Sequence, residues 1–201
     1  MKTILLTGFE AFAGLPSNPS QAIARALNNY SVGNVNVISS ILPVDGLVAP
    51  KKIERLLDKL EPDAVLMLGL AAGRTQIALE RVALNVLEYR IPDNAGVTKH
   101  GEKVLEGQAD ALFSSLPIGN ILDAWREARI PAYVSDSAGT FLCNQVMFLA
   151  RALRPDLPAG FIHLPADETL ALETRQAFVP LEFQTGAIRL AINVLATLLE
   201  T

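Results

Sequence analysis

Short apolar runs alternate with amphipathic stretches along nearly the whole chain. Unbroken apolar runs are typical of strands buried inside a parallel sheet, whereas apolar residues three or four positions apart are typical of helices. Strands are predicted over residues 2–9, 35–42, 63–70, 81–89, 131–137 and 160–165. Helices are predicted after the cap residue Asn18, with Pro19 as the first helical residue, and over 49–62, 120–129, 141–153 and about 176–199.

This alternation predicts one domain over residues 1–201, a three-layer α/β/α sandwich with a mostly parallel, partly mixed central sheet. Residues 91–118 contain prolines and glycines and predict a long, partly irregular excursion. The terminal helix is apolar almost all round, so it is either deeply buried or half covered by another subunit. Sites in such sheets form beyond the carboxyl ends of the strands. The segments expected there are GFEAFAG, GLAAGR, SDSAGTFLC and HLPADE.

Composition narrows the classes of partner. Half of the residues are hydrophobic and 19% are charged, so a substantial core is available. The formal net charge is −4 and there is no basic run, which argues against nucleic acid or an anionic membrane as a partner. No apolar run approaches the roughly 18 residues that span a bilayer. The apolar stretch at residues 4–9 stops at Glu10, so we interpret it as a strand and not as a targeting signal.

Signatures of common cofactor and metal sites are missing from the sequence. It contains no glycine-rich phosphate loop, no G-x-G-x-x-G and no H-E-x-x-H. With two histidines and one cysteine, a structural zinc site is not expected. We therefore expect neither a metal nor a cofactor. A single cysteine excludes an internal disulfide and suits a reducing compartment, so a cytoplasmic location is expected.

Cys143, the only cysteine, lies in SAGTFLCNQV between a predicted strand and a predicted helix. Free cysteines are often buried and inert, and this alternative stays open. In the first turn of a helix, however, unpaired N–H groups and the positive helix end lower the pKa of a thiol. The position of Cys143 therefore favours a thiolate nucleophile.

A thiol nucleophile needs a proton shuttle, and the sequence offers two histidines. His100 lies in a polar irregular segment and is interpreted as a surface residue. His163 ends an apolar strand and is the better candidate, although a core histidine bonded to a backbone carbonyl is the alternative. The carboxylate that would orient the imidazole cannot be chosen by spacing, because 21 acidic residues compete.

Phe9 and Phe12 flank the turn after the first strand. Two aromatic rings there could form a slot for a flat, neutral group. Spacing alone favours a simpler interpretation, in which both rings pack beneath the loop.

Four separated motifs now carry a family resemblance: TGFEAFAGLPSNPS (7–20), ERVALNVLEYRIPDNAG (80–96), SAGTFLCN (137–144) and GFIHLP (160–165). In this order, they resemble the pyroglutamyl peptidase type I family. The resemblance implies a cytosolic cysteine peptidase with an α/β/α fold that removes N-terminal pyroglutamate from peptides. It also implies a homodimer or homotetramer.

The resemblance also implies roles for particular residues. Cys143 would be the nucleophile, His163 its acid–base partner, and Glu80 the carboxylate that completes the triad. Arg90 would lie near the scissile carbonyl and support the oxyanion. The substrate-binding residues implied by the resemblance are Phe9, Phe12, Asn18, Leu70, Phe141 and Leu142.

The sequence departs from the family pattern at several positions. Ala11 and Ala13 replace the proline and glycine of the usual GFEPFGG, which could change the mobility of the loop. Leu70 stands where the family often has a glutamine that bonds the substrate, so weaker activity is expected. Gln145 stands where histidine is common, and the connection before GFIHLP is short. Two other functions stay open: a hydrolase of another cyclic amide, and a non-catalytic peptide- or nucleoside-binding module of the same fold.

Overall fold

Strands and helices alternate along the computed structural model, which describes residues 1–200. The strands are β1 (Lys2–Phe9), β2 (Ser31–Val32), β3 (Val35–Leu42), β4 (Ala64–Leu70), β5 (Ile77–Glu80), β6 (Val82–Leu84), β7 (Leu87–Glu88), β8 (His100–Glu102), β9 (Ala111–Phe113), β10 (Ala132–Ser135) and β11 (Ala159–Leu164). The helices are α1 (Pro19–Ala26), α2 (Val48–Leu60), α3 (Ile118–Glu127), α4 (Leu142–Leu153), α5 (Glu168–Thr174) and α6 (Leu181–Glu200).

The central sheet has seven strands in the order β10-β5-β11-β4-β1-β3-β2. Strand β1 pairs in parallel with β3 and β4, and β4 pairs in parallel with β11. Strand β5 runs antiparallel to β11 and parallel to the edge strand β10, while β2 is antiparallel to β3. The predicted mostly parallel, partly mixed sheet is therefore confirmed.

Apolar side chains cover both faces of this sheet, because its inner strands are buried on both sides. On one face, helices α1, α3 and α6 pack over Ile4, Leu66 and Ile162. On the other face, α2 and α4 pack over Leu5, Val65 and Phe161. Neighbouring residues of one strand thus enter opposite cores, which confirms the three-layer α/β/α arrangement.

One predicted strand is wrong in its position. The run over 81–89 does not form a single sheet strand: the central sheet instead takes β5, which ends at Glu80. The following residues form β6, paired with β9, and β7, paired with β8, in two separate two-stranded sheets. The apolar alternation continues through these short strands, so the pattern along the chain gives no sign of where one sheet ends and the next begins.

One of the four segments expected beyond the carboxyl ends of parallel strands, SDSAGTFLC, follows a strand that runs in the other direction. Because β10 runs parallel to β5 and opposite to β11, its carboxyl end does not lie at the same edge as those of β1, β4 and β11. The segment after β10 is guided instead by β6 and β7: Ala138 N–H donates to Val82 O, and Glu88 N–H donates to Thr140 O.

The remaining differences lie near the carboxyl end of the chain. The terminal helix begins at Leu181 instead of about residue 176, and α5, which was not predicted, precedes it. Asp167 caps α5 by accepting a hydrogen bond from Leu170 N–H at 3.0 Å. Pro180 stands directly before α6, where proline suits a helix start. The irregular excursion over 91–118 contains the short strands β8 and β9.

Helix α6 buries one side against α1 and α3 while Phe183 and Leu198 stay exposed. The fully buried Trp125 of α3 donates its indole N–H to Ala187 O of α6 at 2.8 Å. None of the helices within residues 1–200 combines the length and apolar character needed to cross a bilayer.

Trp125→Phe should lower the free energy of unfolding by about 1–3 kcal/mol, because it removes the bond to Ala187 and leaves a cavity. Urea unfolding measures this change. Phe113, which is 66% exposed, supplies the control: Phe113→Leu should stay within about 0.5 kcal/mol of the unmodified chain. Equal stability of the two variants would show that the contact between α3 and α6 does not depend on the indole.

Candidate active site

The site is built around the antiparallel pairing of β5 and β11. In this register Glu80 lies opposite Phe161, so Glu80 and His163 project from the same face as diagonal neighbours. His163 Nδ1 lies 2.7 Å from Glu80 Oε1, and both side chains are buried. His163 therefore contacts a carboxylate, and the alternative of a backbone carbonyl partner at this nitrogen is wrong.

Cys143 lies beside the same pair, although it belongs to helix α4 and not to the sheet. It is the second residue of α4 and thus lies in the first helical turn, as predicted. Gly69 of β4 pairs directly with His163, and a Cβ added to Gly69 would lie 2.9 Å from Cys143 Sγ and 2.7 Å from Phe161 Cζ. Only glycine leaves room for the thiol here. The sole cysteine, the buried histidine and Glu80 are thus brought together.

The helix end acts on the Cys143 thiol in the predicted direction, but the predicted net lowering of its pKa is wrong. Burial raises the pKa of the thiol to about 12, and the nearby negative charge of Glu80 acts in the same direction. The backbone N–H of Cys143 and the charge of Arg74 oppose this rise without overcoming it. The resting thiol is therefore protonated at neutral pH, and the first-turn position moderates a shift that burial dominates.

Glu80 shows the opposite balance. Burial alone would raise the pKa of its carboxyl group, but the hydrogen bond and charge of His163 and the hydrogen bond from Arg74 together hold it below its usual value. Ser135 Oγ lies near the carboxylate but donates to Ser137 O at 3.3 Å. Within the described residues, Glu80 Oε2 has no hydrogen-bond partner. Glu80 is therefore a buried anion stabilised mainly through Oε1.

Arg74 is the contact that sequence reasoning missed. Its Nη1 donates to Glu80 Oε1 at 2.7 Å, the same oxygen that His163 contacts. Arg74 closes the GLAAGR segment after β4, in a turn where Arg74 N–H donates to Ala71 O. Gly73 in this turn has φ +87°, a conformation that favours glycine. An arginine in a segment already expected at the site was the available signal.

An aromatic slot lies beside the thiol. All of the predicted substrate-binding residues line it together with Val44 and Cys143: Phe9, Phe12, Asn18, Leu70, Phe141 and Leu142. The free space in the slot is about 20 Å³, close to the space that one water molecule needs. The two loop phenylalanines therefore line a common slot with Phe141, in addition to packing against the core.

A wider cavity of about 590 Å³ adjoins His163. Arg74, Glu88, Arg90 and the turn over residues 137–141 line it. Arg90 is exposed and stands at this cavity, not in the aromatic slot. His100 is an exposed surface residue, as predicted, and its Nδ1 lies 3.1 Å from Glu88 Oε1.

The loop after β1 is held by a small hydrogen-bond network around Glu10. Its Oε1 accepts from Val44 N–H and from Asn94 Nδ2, each at 3.0 Å. Asn94 Nδ2 also donates to Ala11 O at 3.0 Å. Asn18 caps α1 through Ser20 N–H, as predicted, and donates from Nδ2 to Glu10 O. The irregular excursion therefore contributes Asn94 to the support of the loop that carries Phe12, a role that sequence reasoning did not assign.

Comparison with known proteins identifies the family. The profile of the pyroglutamyl peptidase family matches residues 2–197. The chain belongs to the pyroglutamyl peptidase family. It is 40% identical to the pyrrolidone-carboxylate peptidase of Deinococcus radiodurans over 97% of this chain and 94% of that protein. It is 43% identical to the Chromobacterium violaceum enzyme over 98% of this chain and 94% of the relative.

Solved structures agree with this membership. The pyrrolidone carboxyl peptidase from Thermococcus litoralis superimposes with a TM-score of 0.94 at 37% identity, covering 100% of this chain and 96% of that one. The family and enzyme class predicted from the four motifs, a cysteine peptidase of the pyroglutamyl peptidase type, are confirmed. The two alternative functions are correspondingly disfavoured.

The departures from the pyroglutamyl peptidase pattern now have structural settings. Leu70 is buried and lines the slot, so no side-chain amide is present there. Ala13 has φ +54°, a conformation that favours the glycine found in the family. Ala11 contributes its carbonyl to Asn94. Among residues 1–200, no group of three or more His, Cys, Asp or Glu side chains is placed to hold a metal ion.

Gln145 is buried and links two parts of the wall around the slot. Its Oε1 accepts from Tyr89 Oη at 2.9 Å, and its Nε2 donates to Gly46 O at 3.2 Å. Burial raises the pKa of Tyr89, which keeps its hydroxyl a donor at neutral pH. The Tyr89 ring packs edge-on against Phe141 at 4.7 Å between centroids. Gln145 therefore supports the slot from behind.

Asn94→Ala should loosen the first loop, because it removes both bonds at 3.0 Å to Glu10 and Ala11. We expect faster amide hydrogen exchange over residues 10–15 and a loss of about 1–3 kcal/mol of local protection. Hydrogen–deuterium exchange with mass spectrometry measures it. Asn120→Ala, at an exposed position of α3, is the control and should leave exchange in this loop unchanged. Unchanged exchange in Asn94→Ala would mean that other contacts hold the loop.

Proposed function

We propose that this chain hydrolyses the bond after an N-terminal pyroglutamyl residue of peptides, with Cys143 as nucleophile, His163 as proton shuttle and Glu80 as the group that orients it. The observation that carries this assignment is the 2.7 Å contact between His163 Nδ1 and Glu80 Oε1, made beside the chain's sole thiol. A nucleophile, a base and an orienting carboxylate arranged in this order are what acyl transfer to a thiol requires.

The high pKa of the thiol determines how the reaction begins. Because Cys143 is protonated at rest, its proton passes to His163 as Sγ attacks the pyroglutamyl carbonyl carbon. Glu80 then stabilises the imidazolium that forms. The carbonyl oxygen gains a negative charge, and the unpaired N–H groups at the start of α4 can stabilise it by donating hydrogen bonds to this oxygen. Arg90 at the adjoining cavity would supply further positive charge to this oxyanion.

The second half of the reaction returns the enzyme to its starting state. His163 gives its proton to the departing amine, the C–N bond breaks, and a pyroglutamyl thioester remains on Cys143. A water molecule loses a proton to His163 and attacks the thioester carbonyl. Cleavage of the C–S bond then releases pyroglutamate, and the proton returns to the thiol.

The slot explains selection for a cyclised N-terminus. Its lining, within the described residues, carries no carboxylate that could pair with an ammonium group. A free N-terminal amine would lose its hydration there without gaining a partner, which is costly. The uncharged lactam avoids this cost. The slot is narrow, so the ring would fit closely between Phe12 and Phe141.

We also infer the setting in which the chain works. The whole sequence, residues 1–201, would act as one catalytic domain in the cytoplasm, where its single thiol stays reduced. It would assemble as a homodimer or homotetramer. Exposed apolar side chains, among them Leu172, Phe178 and Phe183, support contact between copies. Sedimentation analysis measures that state directly.

Cys143→Ser should lower kcat/KM for a pyroglutamyl fluorogenic amide by at least about 1,000-fold, and Glu80→Gln by about 100- to 10,000-fold. Glu102→Gln is the matched control: this exposed residue pairs with Lys99, and its loss should leave turnover unchanged. Amides with a free N-terminal amine, or with another lactam, should be poor substrates. Rapid hydrolysis by Cys143→Ser would exclude the proposed nucleophile, and faster turnover of another lactam would favour the other cyclic-amide hydrolase.

Leu70→Gln should raise kcat/KM for the pyroglutamyl amide by about 2- to 10-fold, because a neutral hydrogen bond to the ring contributes about 0.5–1.5 kcal/mol. Leu70→Met separates polarity from shape, since methionine fills a similar volume without a strong hydrogen-bonding group, and it should leave kcat/KM nearly unchanged. Equal effects of both variants would show that the slot recognises the ring without a polar contact at this position.

A further inference from the structure

Arg74 is tied to the triad carboxylate by a short ion pair and held from a second side. Its Nη1 contacts Glu80 Oε1 at 2.7 Å, and its Cζ lies 5.9 Å from the centroid of the Tyr133 ring on β10. The Arg74 side chain is 29% exposed, whereas that of Glu80 is fully buried. The guanidinium thus bridges the buried carboxylate and the cavity that His163 lines.

The chain path explains why an arginine at this position reaches the triad. Strands β4 and β5 are separated in the sheet by β11, so the connection between them must pass over the end of β11. Ala71 N–H donates to Leu164 O at 2.9 Å on the way. This crossing carries Arg74 over the His163–Glu80 pair, and the ion pair follows from the topology.

The ion pair matters because Glu80 has few other partners. A carboxylate buried without compensation is strongly unfavourable, and here both close contacts fall on Oε1 while Oε2 has none in the described chain. Without Arg74, only His163 would balance the charge. Loss of the Arg74 charge would shift the balance at His163 toward its protonated form, which cannot accept the proton of Cys143.

We propose that Arg74 is a positioning residue of this active site: its guanidinium fixes the orientation of the Glu80 carboxylate and offsets its charge, so that Glu80 presents Oε1 to His163 Nδ1. This inference rests on the proposed function. It adds to the triad a fourth residue, which touches none of the reacting atoms and acts through Glu80.

Other charged and titratable groups face this pair from the surrounding elements. From α4 comes Cys143, from β7 and the loop that follows it Glu88 and Arg90, and from β10 Tyr133 beside Arg74. Glu88 is engaged with His100 at 3.1 Å. Asp167, beyond β11, is occupied in capping α5. Apart from His163, Arg74 is the charged side chain that hydrogen-bonds to Glu80.

Two substitutions separate charge from structure. Arg74→Gln keeps a hydrogen-bond donor but removes the charge, and Arg74→Lys keeps the charge without the planar fork. Loss of the charge should move the acid limb of the kcat/KM profile to higher pH by about one unit, because protonated His163 becomes more stable. Arg74→Lys should keep the limb within about 0.3 unit of the parent and lower kcat/KM at its plateau. The matched control is Arg81→Gln. It removes the same charge from the residue that follows Glu80 in the sequence, but the Arg81 side chain pairs with the exposed Asp136 at 3.1 Å and not with Glu80.

The single thiol supplies a readout that does not need turnover. At a fixed pH above the acid limb of both enzymes, removing the positive charge destabilises the thiolate of Cys143, so alkylation by iodoacetamide should slow by about 3- to 10-fold in Arg74→Gln. Arg81→Gln should react at the parent rate. Thermal unfolding of each variant checks that the fold is retained. If Arg74→Gln does not fold, the pH profile and plateau kcat/KM of Arg74→Lys test the inference on their own.

An Arg74→Gln enzyme with the parent pH limb and alkylation rate would overturn the inference, as would an equal shift in Arg81→Gln or a full one-unit shift in Arg74→Lys. A loss of stability or turnover without a shift would assign Arg74 a structural role only. Failure of the proposed function looks different: the parent enzyme would keep hydrolysing after complete alkylation of Cys143, whatever the Arg74 variants do.

Discussion

The buried carboxylate of Glu80 is the constraint on which the site depends. An anion that is 1% exposed needs compensating partners, and the fold supplies them from two directions. The antiparallel pairing of β5 with β11 brings His163 to it, and the crossover from β4 brings Arg74. A parallel β5 would not place Glu80 opposite Phe161 in this register. The one reversed pairing among the inner strands of the sheet therefore has a chemical consequence.

Burial of the same region determines the state of the nucleophile. Gly69 lets Cys143 approach the sheet closely. This burial raises the pKa of the thiol, which therefore stays protonated. Phe12 and Phe141 line the narrow aromatic slot beside it. A protonated thiol and a buried base beside a narrow slot describe an enzyme whose thiolate forms as the substrate is attacked, in contrast to one that rests as a thiolate.

The sequence predicts those features of the fold that depend on local patterns of residues. Strands β1 and β3 match their predicted ranges, Asn18 caps α1, and Cys143 lies in the first turn of α4. It could not predict what depends on pairing between distant segments. β5 is four residues long and ends in a charge, so no pattern reveals that Glu80 is buried or that Arg74 reaches it. The predicted lowering of the thiol pKa fails for the same reason. The effect of a helix end is local and can be predicted from the sequence, whereas desolvation depends on the assembled fold.

The protonation state of the resting thiol tests this account most directly. The ultraviolet absorbance of thiolate can be followed in the substrate-free enzyme as pH is raised, with Cys143→Ser subtracted to remove the tyrosine signal. A thiol whose pKa lies at about 12 should contribute no thiolate absorbance across the neutral range. Thiolate absorbance at neutral pH that disappears in Cys143→Ser would contradict the account, because the enzyme would then rest as an ion pair.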